Sequence, residues 1–352
     1  MNNKTNKMET FTMPHYKLAL LGFGNVGRAL AELLLRKQDE IKRDYGITYS
    51  VVGVGTGRRG FAVQPAGLDL PAVIEALQNC KTLAEFSTTP VDNAFDFIQK
   101  SGADVLFENT PVNYETGQPA IDHIKLALEH GMHASTANKG PVVHAYHELK
   151  ALAARKGRRF FHESTVMDGA PIFSLFRGAL PGAQLNAFRA VLNSTTNLIL
   201  TRMESGESFD DAVRYAQKIG IAETDPSGDI DGWDAAIKIA ALATVLMDKP
   251  LKPGDVERTG IRAITPEMVL AAKAEGKRYK LVCTAERDGD RVRGKVAPEL
   301  VPVSSPMYGL EGTTSLIQFT TDVLGELTLI ESDPGPHTTA YGLLADFLNA
   351  VK

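Results

Sequence analysis

An acid-rich segment, residues 222–238, carries the side chains best suited to chemistry. Several carboxylates precede one lysine, Lys238, which has apolar neighbours on nearly every side, as in a buried helix. Asp234 lies one helical turn before it, on the same face. A buried ammonium needs a charged partner, and a lysine held charged in a partly desolvated cleft can protonate an oxygen that gains negative charge. Lys238 and Asp234 are therefore predicted to be catalytic.

A purely structural interpretation of the same segment is also available. Asp231 would cap the helix that follows, and Asp234 and Lys238 would form an exposed ion pair on its surface. This explains the acids but not a lysine among apolar neighbours. Under the catalytic interpretation, Glu223 and Asp229 are expected to bind a substrate ammonium, because carboxylates are the natural partners of an amine. Each could instead be a solvated loop acid.

A glycine pattern lies between an apolar run at 16–21 and a helix that begins near Asn25. A tight turn, close approach to a pyrophosphate and helix-to-strand packing each exclude a side chain at one of these glycines. The pattern therefore predicts a dinucleotide at the helix N-terminus, although a glycine turn without a ligand is the alternative. The expected cofactor contacts are Gly22, Gly24, Asn25, Val26 and Gly27.

The end of the second predicted strand, residues 50–54, bears on the choice of cofactor. NAD sites usually place a carboxylate there, but this chain has Arg58 and Arg59. Guanidinium groups suit a ribose 2′-phosphate, which favours NADP, with NAD still possible. Both arginines could also be ordinary surface charges.

Short apolar runs alternate with longer helical patterns, which indicates an α/β protein with a Rossmann-type parallel sheet. We assign residues 16–155 to this domain, completed by residues 325–352, and residues 156–324 to an α+β domain for substrate binding and dimerisation. Residues 1–15 are expected to be a disordered tail. Strands are predicted at 16–21, 50–54, 104–107, 186–192 and 280–285, and helices at 25–43, 119–130, 209–219, 233–247 and 339–348.

Composition limits the classes of partner. The net charge of -4 and the lack of a basic block argue against nucleic acid. Cys80 and Cys283 have no metal-ligand spacing, which indicates free thiols and a cytoplasmic location. Residues 1–15 lack the apolar core of a secretion signal, and the most apolar stretch, 237–247, is too short to span a bilayer.

Several motifs in order resemble the homoserine dehydrogenase family, in its shorter form without a C-terminal regulatory domain. The resemblance extends from about Tyr16 to the end of the chain. It implies an enzyme that interconverts aspartate β-semialdehyde and homoserine, and a homodimer formed by the second domain. The motifs are the glycine pattern at Gly22, Asn138-Lys139-Gly140-Pro141, Glu163-Ser-Thr-Val166, Leu192-Asn-Ser-Thr195-Thr196-Asn197 and the acid-rich segment.

The resemblance also implies roles for individual residues. Lys238 would be the proton donor with Asp234 as its partner, and Thr195 would join Glu223 and Asp229 in substrate binding. Lys139 would lie between nicotinamide and substrate, although its local sequence also fits a surface charge. Asn109 and Thr110 would contact the cofactor.

A monovalent cation, Na⁺ or K⁺, is a further implication of the resemblance. Its ligands would be main-chain oxygens of Glu163, Val166, Asp168 and Ala170. The chain departs from the family here, because Met167-Asp168-Gly169-Ala170-Pro171 replaces the usual Gly-Ala-Gly-Leu-Pro. It departs again at 333–336, where Asp333-Pro-Gly335-Pro336 replaces a glycine-richer run that lines the cofactor; Gly335 is retained as a cofactor contact.

Two other functions fit parts of the sequence. A related oxidoreductase acting on another amino-acid-derived aldehyde or alcohol could use the same scaffold, because fold does not fix substrate. A non-catalytic nucleotide sensor could retain the glycine pattern, but the presence of both Lys238 and Asp234 argues for catalysis.

Overall fold

The structure, a computed structural model, describes residues 13–352. Most of the predicted tail, residues 1–12, lies outside this range, and the first strand begins at His15. The strands are β1 (His15–Leu21), β2 (Thr48–Thr56), β3 (Gly60–Val63), β4 (Val105–Glu108), β5 (His133–Thr136), β6 (Phe160–Phe161), β7 (Leu185–Val191), β8 (Glu257–Arg258), β9 (Lys277–Asp288), β10 (Arg291–Pro302), β11 (Ser315–Thr321) and β12 (Gly325–Glu331).

Helices connect the strands and cover the sheets. They are α1 (Asn25–Tyr45), α2 (Leu70–Gln78), α3 (Ala94–Ser101), α4 (Ala120–Glu129), α5 (Lys139–Arg155), α6 (Ile172–Ser174), α7 (Ser194–Met203), α8 (Phe209–Lys218), α9 (Ser227–Ile230), α10 (Trp233–Leu246), α11 (Pro266–Ala274) and α12 (Pro336–Ala350). A π-helical segment (Leu175–Ala179) follows α6.

The first sheet has the strand order β3-β2-β1-β4-β5-β6, and its strands pair in parallel except for β3, which is antiparallel to β2. β1 is buried on both faces. Leu18 and Leu20 pack with α1 and α12, whereas Ala19 and Leu21 pack with α3 and α4. A strand that is covered on both faces has a continuous apolar sequence, which is why β1 could be predicted from the sequence. This sheet confirms the predicted Rossmann-type fold.

The second sheet has the order β12-β11-β7-β9-β10-β8 and is antiparallel except where β8 joins β10. The helix predicted from the acid-rich segment, α10, is buried among these strands and α5. Its apolar side chains fill the largest core of the molecule, and Ile237, Ile239 and Leu242 are fully buried there. This burial explains why the helix is apolar nearly all round.

The boundary between the domains differs from the predicted one. β6 lies beyond residue 155 but pairs with β5 in the first sheet. β12 falls within the segment predicted to complete the first domain, yet it pairs with β11 in the second sheet. From that segment, α12 returns to the first domain, where it packs on α1. Two-residue strands and alternating edge strands give weak apolar patterns, so the sequence did not reveal these pairings.

A buried carboxylate on α12 attaches this helix to the first sheet. Asp346 Oδ2 accepts hydrogen bonds from Ser135 Oγ at 2.9 Å and from the Glu163 amide at 3.1 Å. Burial, together with the nearby Glu163 carboxylate, raises the pKa of Asp346 to about 8. Since its pKa in an unfolded chain is about 3.9, Asp346 stabilises the fold most at low pH. That stabilisation is lost as the pH rises from about 4 through 8.

We expect Asp346→Asn to reduce the loss of thermal stability between about pH 6 and pH 9, because the amide oxygen accepts the same hydrogen bonds and the group does not ionise. Thermal unfolding across this pH range is the measurement. The exposed Asp210→Asn serves as the control and should follow the wild type. An Asp346→Asn profile parallel to that of the wild type would contradict the assignment.

Candidate active site

Asp234 and Lys238 form a buried ion pair on α10. Lys238 Nζ lies 2.9 Å from Asp234 Oδ2 and donates a hydrogen bond of 2.6 Å to the main-chain oxygen of Leu192. Only 14% of each side chain is exposed. The structure therefore excludes the exposed surface pair that the alternative interpretation of the sequence required.

Electrostatics keep both members of the pair charged. Burial would raise the pKa of Asp234, but Lys238 and Lys139 outweigh burial and hold it below its ordinary value. Burial would likewise lower the pKa of Lys238, but Asp234 outweighs it and the pKa is raised. An ammonium beside a carboxylate is thus the stable state of the site near neutral pH.

Lys139 connects this pair to the first domain. It begins α5 shortly after β5, and its Nζ lies 3.4 Å from Asp234 Oδ1. The two oxygens of one carboxylate are thus shared by two lysines, Lys139 and Lys238. Ligands of open α/β sheets bind beyond the carboxyl ends of the strands, where Lys139 lies. Through Lys139, the pair is therefore joined to the carboxyl end of the first sheet.

The predicted substrate residues lie around the pair to different degrees. Asn193 Nδ2 donates to Asp229 Oδ1 at 2.6 Å and to Asp234 Oδ2 at 3.1 Å, which brings Asp229 into the site. Thr195 is buried at the start of α7, and its hydroxyl donates to the main-chain oxygen of Ile221 at 3.4 Å. Glu223 is exposed at the rim. Burial, then the charge of Asp234, raises the pKa of Asp229.

Asp231 does not cap α10 as the sequence predicted. Gly232, in the left-handed conformation, precedes the helix and makes no side-chain cap. The Asp231 carboxylate instead binds the Arg262 guanidinium, and its main-chain oxygen accepts from Arg258. These arginines lie 27 and 31 residues further along the chain, so local sequence does not show them.

Sequence reasoning missed three residues of the site. Asn193 bridges Asp229 and Asp234. It belongs to the same motif as Thr195, but the sequence alone indicated no role for it. Tyr114 lies near the acids, and burial, then Asp234, raises its pKa to about 12. Glu331 on β12 has a buried Oε2 without a hydrogen-bond partner among the described residues. Burial, then Asp168, raises the pKa of Glu331 to about 7.

The glycine turn has the geometry that a dinucleotide requires. A Cβ on Gly22, whose φ is +94°, would lie 2.3 Å from the Asn109 main-chain oxygen, and one on Gly27 would lie 2.3 Å from that of Gly22. A Cβ on Gly24 would meet nothing within 4 Å. The N-terminus of α1 has no side-chain cap. Its amides are thus available to an anion in the open space beside Gly24.

Two other predicted cofactor residues lie near this turn. The side-chain nitrogen and oxygen of Asn109 are buried without a hydrogen-bond partner in residues 13–352, as expected of an amide that contacts a ligand. The Thr110 hydroxyl is already bound to the Glu108 carboxylate. Asn109 is therefore the better candidate for a side-chain contact.

The helix starts of α1 and α12 face a common cleft of about 390 Å³. Asn25 begins α1 at this cleft, and Val26 follows it, half-buried. Gly335 precedes α12, whose first residues, Pro336 and His337, line the other side. The N-terminal ends of two helices carry partial positive charge, so the cleft suits an anionic ligand.

Arg58 and Arg59 lie in the exposed turn between β2 and β3. The end of β2 adjoins the glycine turn, because the Gly22 amide donates to the Gly55 oxygen at 2.9 Å. Arg59 Nη1 donates to the Cys80 main-chain oxygen at 2.7 Å, whereas Arg58 has no side-chain hydrogen bond within the described part of the chain. The structure thus places both arginines just after the end of β2, which adjoins the glycine turn.

The loop predicted to bind a cation packs closely against α12. The Glu163 carboxylate accepts from the amides of Phe173 and Ser174 at 2.7 and 2.8 Å, and Asp168 Oδ2 accepts from Thr338 Oγ1 at 3.0 Å. The Glu163 carboxylate and Asp168 Oδ2 thus already accept hydrogen bonds from other parts of the protein. Residues 13–352 contain no cluster of three or more metal-binding side chains. A cation here would depend on main-chain oxygens, including those of Val166 and Ala170.

We expect Gly24→Ala to fold normally but to bind a dinucleotide at least about tenfold more weakly, because its methyl group would enter the open space beside the helix start. Gly22→Ala should lower the unfolding temperature, since its Cβ would clash with main chain. Thermal unfolding and calorimetric titration with the dinucleotide distinguish the two variants. Unchanged affinity in Gly24→Ala would contradict this location of the cleft.

Comparison with known proteins agrees with the two-domain organisation. The family model described as "Homoserine dehydrogenase, NAD binding domain" matches residues 22–163, and that described as "Homoserine dehydrogenase" matches residues 171–348. These ranges correspond to the glycine-turn domain and to the remainder of the chain.

Similar proteins cover nearly the whole chain. A Pseudomonas canavaninivorans protein named NAD(+)-dependent homoserine dehydrogenase is 36% identical over 96% of both chains. A Methanocaldococcus jannaschii homoserine dehydrogenase is 37% identical over 94% of this chain and 97% of its own. A hyperthermophilic archaeal homoserine dehydrogenase, solved with NADPH, has a TM-score of 0.81 and 30% identity, covering 96% of this chain and 98% of its own. The chain belongs to the homoserine dehydrogenase family.

Proposed function

We propose that the protein interconverts L-aspartate 4-semialdehyde and L-homoserine, with a nicotinamide dinucleotide as the redox partner. The observation that carries this proposal is the Asp234 carboxylate shared by Lys238 and Lys139 at the edge of the dinucleotide domain. Family membership supports the reaction class, and the intact ion pair argues against a non-catalytic nucleotide sensor. Homoserine is the alcohol and the semialdehyde is its oxidised form.

A dinucleotide held at the glycine turn would supply hydride to the aldehyde carbon, or take it from the same carbon of the alcohol in the reverse direction. Lys238 supplies the proton that the substrate oxygen needs. Two of its N–H groups are directed to Asp234 and Leu192, which leaves the third for that oxygen. Because Asp234 keeps the ammonium charged, the proton is present when negative charge develops. In the reverse direction, Lys238 would accept the hydroxyl proton.

The acids near the pair suit the amino group of the substrate. Asp229 is held by Asn193 at 2.6 Å and lies on the same side as Asp234, while the exposed Glu223 lies at the rim. We assign these two carboxylates to the substrate ammonium and Thr195 to substrate binding as well. Lys139 would lie between nicotinamide and substrate, where its charge also suits the substrate carboxylate.

NADPH is our preferred cofactor, through Arg58 and Arg59 at the ribose side of the cleft. Both guanidinium groups are exposed there, and no carboxylate occurs in residues 54–59 to bind a 2′-hydroxyl. One relative is named as NAD(+)-dependent and another was solved with NADPH. The family thus includes both cofactors, and NAD is the second cofactor of this proposal.

A monovalent cation, Na⁺ or K⁺, is a further part of the proposal. Main-chain oxygens of Glu163, Val166, Asp168 and Ala170 would hold it, since hard cations prefer oxygen ligands. Its contribution would be to fix the loop that Asp168 connects to α12 through Thr338. Activity measured with Na⁺, K⁺ and a tetraalkylammonium salt would show whether a cation is needed.

A homodimer formed by the second domain and a cytoplasmic location complete the proposal. β12 is an edge strand with Ile330 58% exposed, and the adjoining turn exposes Val323 and Leu324. Such apolar edges favour pairing between copies.

No helix within residues 13–352 combines the length and apolarity needed to cross a bilayer. Cys80 and Cys283 are unpaired, which suits a reducing compartment.

We expect Lys238→Ala to lower kcat for the semialdehyde by about 10²–10⁴-fold, the usual effect of removing a positioned general acid. Dinucleotide affinity should stay near that of the wild type. NADPH absorbance, followed with the semialdehyde and with a panel of related aldehydes, measures both rate and substrate choice. The exposed Lys218→Ala is the control. Near-normal turnover in Lys238→Ala, or a preference for another aldehyde, would refute the proposal.

Arg58→Ala and Arg59→Ala together should raise KM for NADPH at least about tenfold while changing KM for NADH little, because only NADPH carries the 2′-phosphate. Initial rates with each cofactor provide the comparison. Arg36→Ala, exposed on α1, controls for the loss of positive charge. If both KM values rise equally, the arginines do not recognise the phosphate.

A further inference from the structure

A second cavity, of about 500 Å³, lies between the two domains at the far ends of α5 and α10. Tyr146 and Lys150 of α5 line one side, and Val245 and Leu246 of α10 line another. Lys150 is eleven residues beyond Lys139, or roughly 16 Å along a helix. The cavity is therefore separate from the site at Lys238. Its volume is within the range of small-molecule sites.

A buried histidine in the wall of this cavity has no hydrogen-bond partner. His162 is 4% exposed, and neither ring nitrogen has a partner within the described residues. The rings of Tyr146, Phe160 and Phe173 surround it at centroid distances of 5.4, 5.4 and 4.7 Å. Buried polar atoms nearly always have a partner in folded proteins. These two nitrogens thus point to a polar ligand.

The charged residues around the cavity all have one sign. Four cationic side chains line it, and no acidic side chain does so among the described residues; the cations are Lys150, Arg158, Arg159 and Arg177. Arg158 Nε is buried and unpartnered as well. The Arg177 guanidinium lies 4.2 Å from the centre of the Phe161 ring. An acid near Arg177, Glu163 at 3.9 Å, is already bound by two amides.

We propose that this cavity is a binding site for a small organic acid with an aromatic or branched apolar body and no amino group. The carboxylate would meet the cationic side chains and the His162 ring, and the apolar body would pack on Phe160, Phe173 and Phe176. An amino acid is disfavoured, because its ammonium would face four cations and no carboxylate.

The imidazole of His162 can donate a hydrogen bond to such a ligand. In either protonation state, at least one ring nitrogen carries a hydrogen that a carboxylate oxygen can accept. This donor adds direction to the recognition of the carboxylate by the cationic side chains.

The probe for a test is phenylacetate, titrated calorimetrically into the full-length protein. We expect saturable binding with Kd on the order of 1 mM or tighter. Two relatives of the probe separate its features: 2-phenylglycine adds an ammonium, and 2-phenylethanol removes the negative charge. Both should bind at least about tenfold more weakly than phenylacetate.

Three variants locate the binding. Lys150→Gln removes one cation, and His162→Phe keeps a ring but removes both nitrogens; each should weaken phenylacetate binding at least about tenfold. His162→Phe should unfold at or above the wild-type temperature, because it removes unpartnered buried atoms. The matched control, Arg155→Gln, lies exposed on α5 outside the cavity and should bind like the wild type.

Several outcomes would overturn the proposal. One is the absence of saturable binding, as expected if a second copy of the chain filled the cavity. Another is equal affinity for 2-phenylglycine, and a third is equal loss in Lys150→Gln and Arg155→Gln. Normal binding by a stable His162→Phe variant would also overturn it.

Discussion

The arrangement of the site depends on one buried carboxylate, Asp234, whose two oxygens lie 2.9 and 3.4 Å from the ammonium groups of Lys238 and Lys139. Taking three charges out of water is costly, and attraction within the group offsets the cost only if the geometry is kept. Removing one partner of such a buried pair typically costs about 3–5 kcal/mol. The contact therefore determines both the charge of Lys238 and how α10 approaches α5.

The surrounding structure holds α5 and α10 in position. α12 follows the second sheet but packs on the first, where Asp346 binds Ser135 and the Glu163 amide. At its other end, Thr338 binds Asp168 in the loop that departs from the family pattern. Asp168 and Asp333 both have positive φ, at 40° and 54°, a conformation that glycine adopts without strain. At Asp168, the carboxylate accepts a hydrogen bond from Thr338 of α12 while the backbone is in this conformation.

Much of this could be predicted from the sequence. Continuous apolar runs located β1 and α10, and the isolated lysine of α10 identified the ion pair, because burial leaves a clear local pattern. Contacts between residues that are far apart in the chain leave no such local pattern. The bond from Lys238 to the Leu192 oxygen, the bridge through Asn193 and the capture of Asp231 by Arg262 depend on residues far away in the chain. The prediction that β12 belongs to the first domain was wrong for the same reason.

The most direct test measures the protonation of Lys238 itself. Nuclear magnetic resonance of ¹³Cε-labelled lysine, assigned with a Lys238→Arg variant, gives its pKa in the wild type and in Asp234→Asn. Our account predicts a wild-type pKa above the ordinary lysine value of about 10.4. The pKa should fall below that value in Asp234→Asn, where the carboxylate that most strongly opposes burial is lost. A pKa that is the same in both proteins would contradict the central role of Asp234.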